Sequence, residues 1–275
     1  MKRSLRVLGR VTDLYFDRMI PRSAAALSYY LTMSVFPLII CLYTLLGNSF
    51  SRAMSAMDVA EEFLSEQTIS YIRGFLVYVA KNHNNAMLLA GVLMLLTTAS
   101  AGVRSVQSTI GELQGLRRYQ GLSGVLFSLA FSVAFLAAMY FSILVMFTGE
   151  TFLDWLSGRF PQLNISSSWE WMRFLLLGGL ELVIFLGVYA SSRPRRDPYA
   201  LLPGALLATV GTVFISWIFS AFIAVSVRYS MVYSSLASLI LLMFWLFLIC
   251  QVIYVGAAFN VAIRDVKRED ESSQV

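Results

Sequence analysis

The sequence predicts an all-α fold: a polytopic membrane bundle of six transmembrane helices with additional amphipathic interfacial helices. Three observations carry that expectation. First, 58% of the 275 residues are hydrophobic and only 13% are charged, whereas soluble chains carry about 25% charged residues. Second, the mean hydropathy is +0.70, too high for a polar shell around a chain of this size. Third, six apolar stretches approach the roughly 20 residues that cross a bilayer as a helix.

The first element, residues 1–23, is too acidic at Asp13 and Asp17 for a cleavable signal and lacks an apolar core before a small-residue site. Leu5, Leu8, Val11, Tyr15 and Met19 recur at helical spacing, with Arg6, Arg10, Asp13 and Asp17 off that stripe. This pattern suits an amphipathic helix in the membrane interface; an ordinary cytosolic tail helix is the alternative.

The bundle proper is expected over residues 24–263, with spans at Ala24–Leu46, Ala86–Val103, Leu122–Thr148, Trp171–Tyr189, Tyr199–Val225 and Leu236–Ile263. Mostly short connections argue for antiparallel neighbours. Between the first two spans, Asp58 to Lys81 interleaves Val59, Phe63, Ile69 and Ile72 with Glu61, Glu62, Glu66 and Arg73. One or two interfacial helices capping the bundle are expected there. Residues 264–275 form a polar tail.

Of the 21 Lys and Arg residues, 15 fall in the N-terminal segment, two alternate loops and the C-terminal tail. By the positive-inside rule this places both termini in the cytoplasm, in a plasma membrane. The net charge of +5 fits attraction to an anionic inner leaflet rather than nucleic-acid binding.

Composition also excludes chemistry. The two cysteines, Cys41 and Cys250, lie in apolar runs, and His83 is the lone histidine. A disulfide scaffold, a zinc cluster and a multi-histidine metal centre are therefore not expected, and no cofactor is implied. No Gly-x4-Gly-Lys-Ser/Thr loop is present, so an ATP-driven pump is excluded within this chain. A hydrolase would lack a histidine base beside its nucleophile. We expect no enzyme and no catalytic residue.

Glu181, in the middle of the fourth span, is the clearest anomaly. A charge at the bilayer centre costs about 2.5–3.5 kcal/mol on insertion scales, so Glu181 should face protein or water. It is a candidate for proton or cation coupling or for substrate contact; the alternative is a hydrogen-bonded residue that fixes helix packing. Arg104 ends the second span, with Gln107 and Glu112 after it. It can hold a lipid phosphate bidentately or gate the cytoplasmic side, with Gln107 beside it; it can equally snorkel as an inside marker. In the first span Ser28 and Thr32, and Tyr30 and Ser34, stack four apart ahead of Pro37. These residues and Pro203 near the start of the fifth span are cavity-lining or kink candidates; plain interhelical packing is the alternative. Ala130, Ala134 and Ala138, and likewise Gly204, Ala208 and Thr212, read as small-residue packing stripes.

The run Arg22-Ser-Ala-Ala-Ala-Leu-Ser-Tyr-Tyr-Leu-Thr-Met-Ser-Val-Phe-Pro37 resembles the opening span of the YihY/virulence factor BrkB family. Thr98-Ala-Ser-Ala-Gly-Val-Arg104-Ser-Val-Gln107 is similar to its second motif. Leu202-Pro203-Gly204-Ala205, Tyr229-Ser230-Met-Val-Tyr233 and the run from Phe244-Trp245-Leu246 to Asn260 resemble its C-terminal half. The resemblance covers essentially the whole chain. It differs at Gly111, Ser234 and Ala258, where the family commonly has asparagine, glycine and an acidic residue. The resemblance implies a six-span bacterial inner-membrane protein and adds Tyr229, Tyr233 and Asn260 to the cavity-lining or kink candidates. Family members carry an older ribonuclease BN label, and one branch is linked to serum resistance. A ribonuclease would need accessible acids, histidines or metal ligands near a basic groove, which this chain lacks. Two readings remain open: transport or handling of a lipid, envelope component or small solute without an ATPase, or a structural, virulence-associated envelope scaffold. The expected partners are membrane lipids, with a second copy of the chain or envelope proteins also open, and no nucleic acid.

Overall fold

The computed structural model describes residues 2–46, 74, 85–115, 126, 128–130, 133, 134, 137, 169–191, 201–226 and 234–272. These residues form helices throughout, with short turns and no strand among the described residues. In chain order they are α1 (Lys2–Asp17), α2 (Ile20–Leu46), α3 (Asn85–Leu113), α4 (Trp169–Ser191), α5 (Leu202–Ser226) and α6 (Ser234–Ser272). The expected all-α membrane bundle is therefore observed.

Four helices contain stretches long and apolar enough to cross a membrane by length and composition: Leu89–Leu113, Phe174–Ser191, Leu202–Phe222 and Leu239–Ser272. They correspond to the second, fourth, fifth and sixth expected spans. The first expected span lies inside α2, which begins at Ile20. Most of the third span, and the Asp58–Lys81 cap apart from Gly74, lie outside the described residues. On α4 and α5 many large apolar side chains point outward, with Leu175 76%, Trp217 68% and Val210 67% exposed. Such a surface suits lipid, where helices associate through close packing rather than hydrophobic burial.

α6 is the hub and packs against α1, α2, α3 and α5; α2 also pairs with α3, and α4 with α5. At 39 residues it is about 58 Å long, nearly twice a hydrocarbon core of about 30 Å. Its C-terminal part thus extends the bundle and meets α1. The N–H of Arg6 Nη2 donates to Asp270 at 2.7 Å, and Arg10 Nη2 to Asp265 at 3.5 Å. Beneath these pairs Val7, Ala262 and Val266 form a small apolar cluster. Of the predicted α1 stripe, Leu5, Leu8 and Met19 are exposed and Val11 and Tyr15 are half-buried; the buried residues of the helix are Val7 and Leu14 instead.

The α1–α2 connection is a tight elbow. Met19 takes φ 47°, the left-handed region that closes helices but is costly for a side chain with Cβ. Its carbonyl accepts from the N–H groups of Arg22 and Ser23 at 2.9 and 3.2 Å, starting α2 immediately. Pro21 sits in that first turn, where its missing N–H costs nothing.

The seam between α5 and α6 is built on small residues. A Cβ at Gly204 would collide with the Gly256 carbonyl, and one at Gly256 would lie 2.6 Å from both the Gly204 carbonyl and the Tyr189 hydroxyl. Ala205, Ala208, Ala257 and Ala258 are buried around them. The Gly204–Ala208 stripe thus packs as expected, whereas Ala130 and Ala134 are exposed.

Candidate functional site

The elbow sets its two flanking arginines against α3. Arg18 and Arg22 share the rim of one open basin with Arg104, and Asp17 and Glu112 complete its charged lining. Its floor carries Ser23, Tyr30, Ser105 and Thr109, and its volume is about 700 Å³. α2 packs on α3 at Gly102, where a Cβ would lie in ordinary contact with Tyr30 Cβ at 3.6 Å.

The electrostatics distinguish this basin from the rest of the same end of the bundle. Arg6, Arg10 and Arg264 are all ion-paired to Asp265 or Asp270. Arg18, Arg22 and Arg104 make no ion pair among the described residues. Arg104 donates from Nη1 to the Ser100 hydroxyl at 2.7 Å, which holds its guanidinium along α3. The Ser108 hydroxyl donates to Glu112 at 3.3 Å. Below the floor the buried Tyr254 hydroxyl lies beside Thr109 and Ser105 without a closed hydrogen bond.

A second cavity, of about 140 Å³, adjoins the basin and is walled mainly by apolar groups of α2, α3 and α4, including Leu27, Leu38, Leu95, Val106 and Phe185. Tyr30 lines both spaces. From Asp17 onward the basin uses residues up to Tyr30, while the cavity uses Leu27 to Leu38; on α3 the basin takes Ala101 to Glu112 and the cavity Leu95 to Gln107. On both helices the apolar space is therefore displaced away from the α1 end, by about 10 Å at 1.5 Å per residue. Three guanidinium groups without an ion pair among the described residues thus line a basin that shares Tyr30 with a mainly apolar cavity. That arrangement can hold an amphiphile with an anionic head.

The structure sorts the sequence candidates. Arg104 lines the basin, but Gln107, expected beside it, lines the apolar cavity. Tyr30 and Ser34 line the cavity as well. Ser28 and Thr32 are buried and return their hydroxyls to the carbonyls of Ala25 and Ser28, at 2.9 and 2.8 Å. Pro37 lies inside α2, fully buried. Pro203 is the second residue of α5 and opens that helix rather than kinking it. Asn260 lines neither cavity. Its Oδ1 accepts from the Gly204 N–H at 2.8 Å and its Nδ2 donates to the Leu201 carbonyl at 3.0 Å, capping α5 from α6. Glu181 also lines neither cavity; its carboxyl faces the Thr212 hydroxyl across the α4–α5 seam. Tyr229 and Tyr233 lie outside the described residues. Arg18 and Arg22 entered the sequence argument only as orientation charges; they flank the Met19 elbow rather than share one helix.

Comparison with known proteins identifies the family. The virulence factor BrkB family matches over residues 12–275, from the middle of α1 through the C-terminus. The chain belongs to the BrkB family. A Bacillus subtilis (strain 168) protein with a ribonuclease-like name, YfkH, is 22% identical over 251 residues, covering 89% of this chain and 90% of the relative. No solved structure matches the chain. The BrkB match includes both arginines of the elbow, Arg104, Tyr30 and the Asn260 cap, so basin and cavity lie wholly within the family region.

Proposed function

We propose that this BrkB-family protein binds and handles an anionic membrane lipid, or a lipid-linked envelope component, without an ATPase of its own. The phosphate sits among Arg18, Arg22 and Arg104, and a hydrocarbon chain enters the slot past Tyr30. The observation that carries this reading is the contrast in pairing: Arg6, Arg10 and Arg264 are paired to aspartates, and the three arginines in the basin have no ion pair among the described residues. Guanidinium groups bind phosphate oxygens through charge-assisted hydrogen bonds. At about 1 kcal/mol per charged group, the three arginines set against the carboxylates of Asp17 and Glu112 leave about 1 kcal/mol of net attraction, or about a fivefold preference over a neutral headgroup.

The charge asymmetry in the sequence supports a cytoplasmic position for this end, and in this reading the lipid enters from the inner leaflet of the plasma membrane. Handling rather than catalysis is supported by the residues present: among the described residues the basin offers guanidinium, hydroxyl and two carboxylate groups. The ribonuclease-like name therefore stays with the relative.

The test is native mass spectrometry of protein extracted in mild detergent and offered phosphatidylglycerol and phosphatidylcholine of matched chains. Wild type should retain phosphatidylglycerol selectively, and a folded Arg22→Gln/Arg104→Gln variant should lose that selectivity. Competition by soluble glycerol phosphate with no retained lipid would instead indicate a free-phosphate site. Equal retention of both lipids by both proteins would favour the scaffold reading.

A further inference from the structure

α6 covers one side of α1 and leaves an apolar stripe on another side open. Successive residues of a helix turn by about 100°, which gathers Leu5, Leu8, Thr12 and Phe16 within about 80° of arc. Leu5, Leu8 and Phe16 are 64%, 58% and 69% exposed. Thr12 is exposed too; its hydroxyl donates to the Leu8 carbonyl at 3.1 Å, so it needs no partner across the stripe. A Cβ at Gly9, beside them, would meet nothing. The contacts to α6 come from other residues: Val7 clusters with Ala262 and Val266, and the Tyr15 hydroxyl donates to Gln251 at 2.7 Å.

Two observations indicate what covers the stripe. The first is charge. Arg6, Arg10 and Asp13 fall within about 60° of a different arc, which leaves the stripe uncharged and complementary to an identical one. An interfacial helix holds anionic lipid with free basic residues on its polar face, whereas Arg6 and Arg10 are already paired with Asp270 and Asp265. The second is position. α1 runs antiparallel to α6, with Arg6 level with Asp270, Arg10 with Asp265 and Tyr15 with Gln251. Leu5 and Leu8 therefore stand beside the charged C-terminal turns of α6 and not beside its apolar stretch.

We propose that this stripe of α1 is the contact between two copies of the chain, the two α1 helices lying parallel about a two-fold axis along the membrane normal. Both copies insert in one orientation, so that axis sets each stripe residue against its own counterpart. A helix of 16 residues is short for a coiled coil in solution, which sustains about three or four heptads. Confinement of both chains to one membrane raises their effective concentration and offsets that shortness. The inference stands apart from the lipid reading and uses none of the basin arginines.

The test is oxidative disulfide formation with copper phenanthroline in native membranes, on the full chain in a Cys41→Ser/Cys250→Ala background. For paired helices with axes about 8–10 Å apart, facing Cα atoms lie about 3.5–5.5 Å apart, within the roughly 7 Å that a disulfide can span. Asp13 is the next residue round the helix, and its Cα would stand about 10–11 Å from its counterpart. Thr12→Cys should therefore crosslink to itself at least about tenfold faster than Asp13→Cys. Adding Leu5→Glu/Leu8→Glu, both exposed in the single chain, should cut the Thr12→Cys product at least about tenfold with the inserted amount unchanged. Equal products from Thr12→Cys and Asp13→Cys would mean random collision and overturn the proposal. So would the absence of product from Thr12→Cys, which leaves α1 facing lipid or solvent, or an adduct whose mass is not twice that of the chain.

Discussion

Replacing Asn260 by alanine should destabilise the bundle strongly while leaving both cavities lined as before. Asn260 is 2% exposed, and its amide holds the α5 N-terminus from α6 through two hydrogen bonds of 2.8 and 3.0 Å. The Gly204 N–H is one of the first-turn donors that has no partner within its own helix. Alanine leaves it buried and unsatisfied, at a cost of about 1–3 kcal/mol. The Leu201 carbonyl keeps its bond from the Ala205 N–H at 3.1 Å, so losing its second donor costs less, about 0.5–1.5 kcal/mol. Together the loss should be about 2–4 kcal/mol. Titration with SDS in mixed micelles, followed by far-UV circular dichroism, would measure it against Val210→Ala as a lipid-facing control. The control site is 67% exposed and should shift by less than about 0.5 kcal/mol. An Asn260→Ala shift no larger than the control's would refute the claim that this amide is a helix cap.

Other outcomes follow from the same geometry. Gly256→Ala puts a Cβ 2.6 Å from the Gly204 carbonyl and the Tyr189 hydroxyl, so in the same titration it should cost about 1–3 kcal/mol as α5 and α6 are forced apart. The Arg6–Asp270 pair is exposed at 49% and 34%, so a double-mutant cycle should return less than about 1 kcal/mol and decline with added salt. Cys250 is fully buried and free; in a Cys41→Ser background it should resist maleimide in the native bundle and react on unfolding. Glu181→Gln should leave far-UV circular dichroism unchanged and remove any proton-coupled transport in reconstituted vesicles, since an amide cannot take up and release the proton that a carboxyl carries.

How much the sequence discloses depends on the range of the interaction. Apolar run lengths and 3.6-residue periodicity are local, so the all-α bundle and the amphipathic α1 are legible from them. The site is less so. Arg104 and Gln107, three residues apart, read as one patch, yet adjacent faces of α3 deliver them to different spaces. Arg18 and Arg22 read as orientation charges because their convergence with Arg104 depends on the left-handed Met19 elbow. No glycine or asparagine announces that conformation. Asn260 resembled a cavity residue because its partners, Leu201 and Gly204, lie 59 and 56 positions away. Pro203 suggested a broken helix, but a proline in the first turn of a helix starts it.

The central claim, that an anionic lipid places its head in the arginine basin and its chain beyond Tyr30, is tested most directly by photocrosslinking. Phosphatidylglycerol carrying a diazirine near the start of one acyl chain would be reconstituted with the full chain, irradiated, and mapped by peptide mass spectrometry. The account predicts adducts on the cavity walls, between Leu27 and Leu38 of α2 and between Leu95 and Gln107 of α3, that disappear in Arg22→Gln/Arg104→Gln. Adducts confined to the outward face of α5, around Val210 and Trp217, and indifferent to the arginines would contradict it.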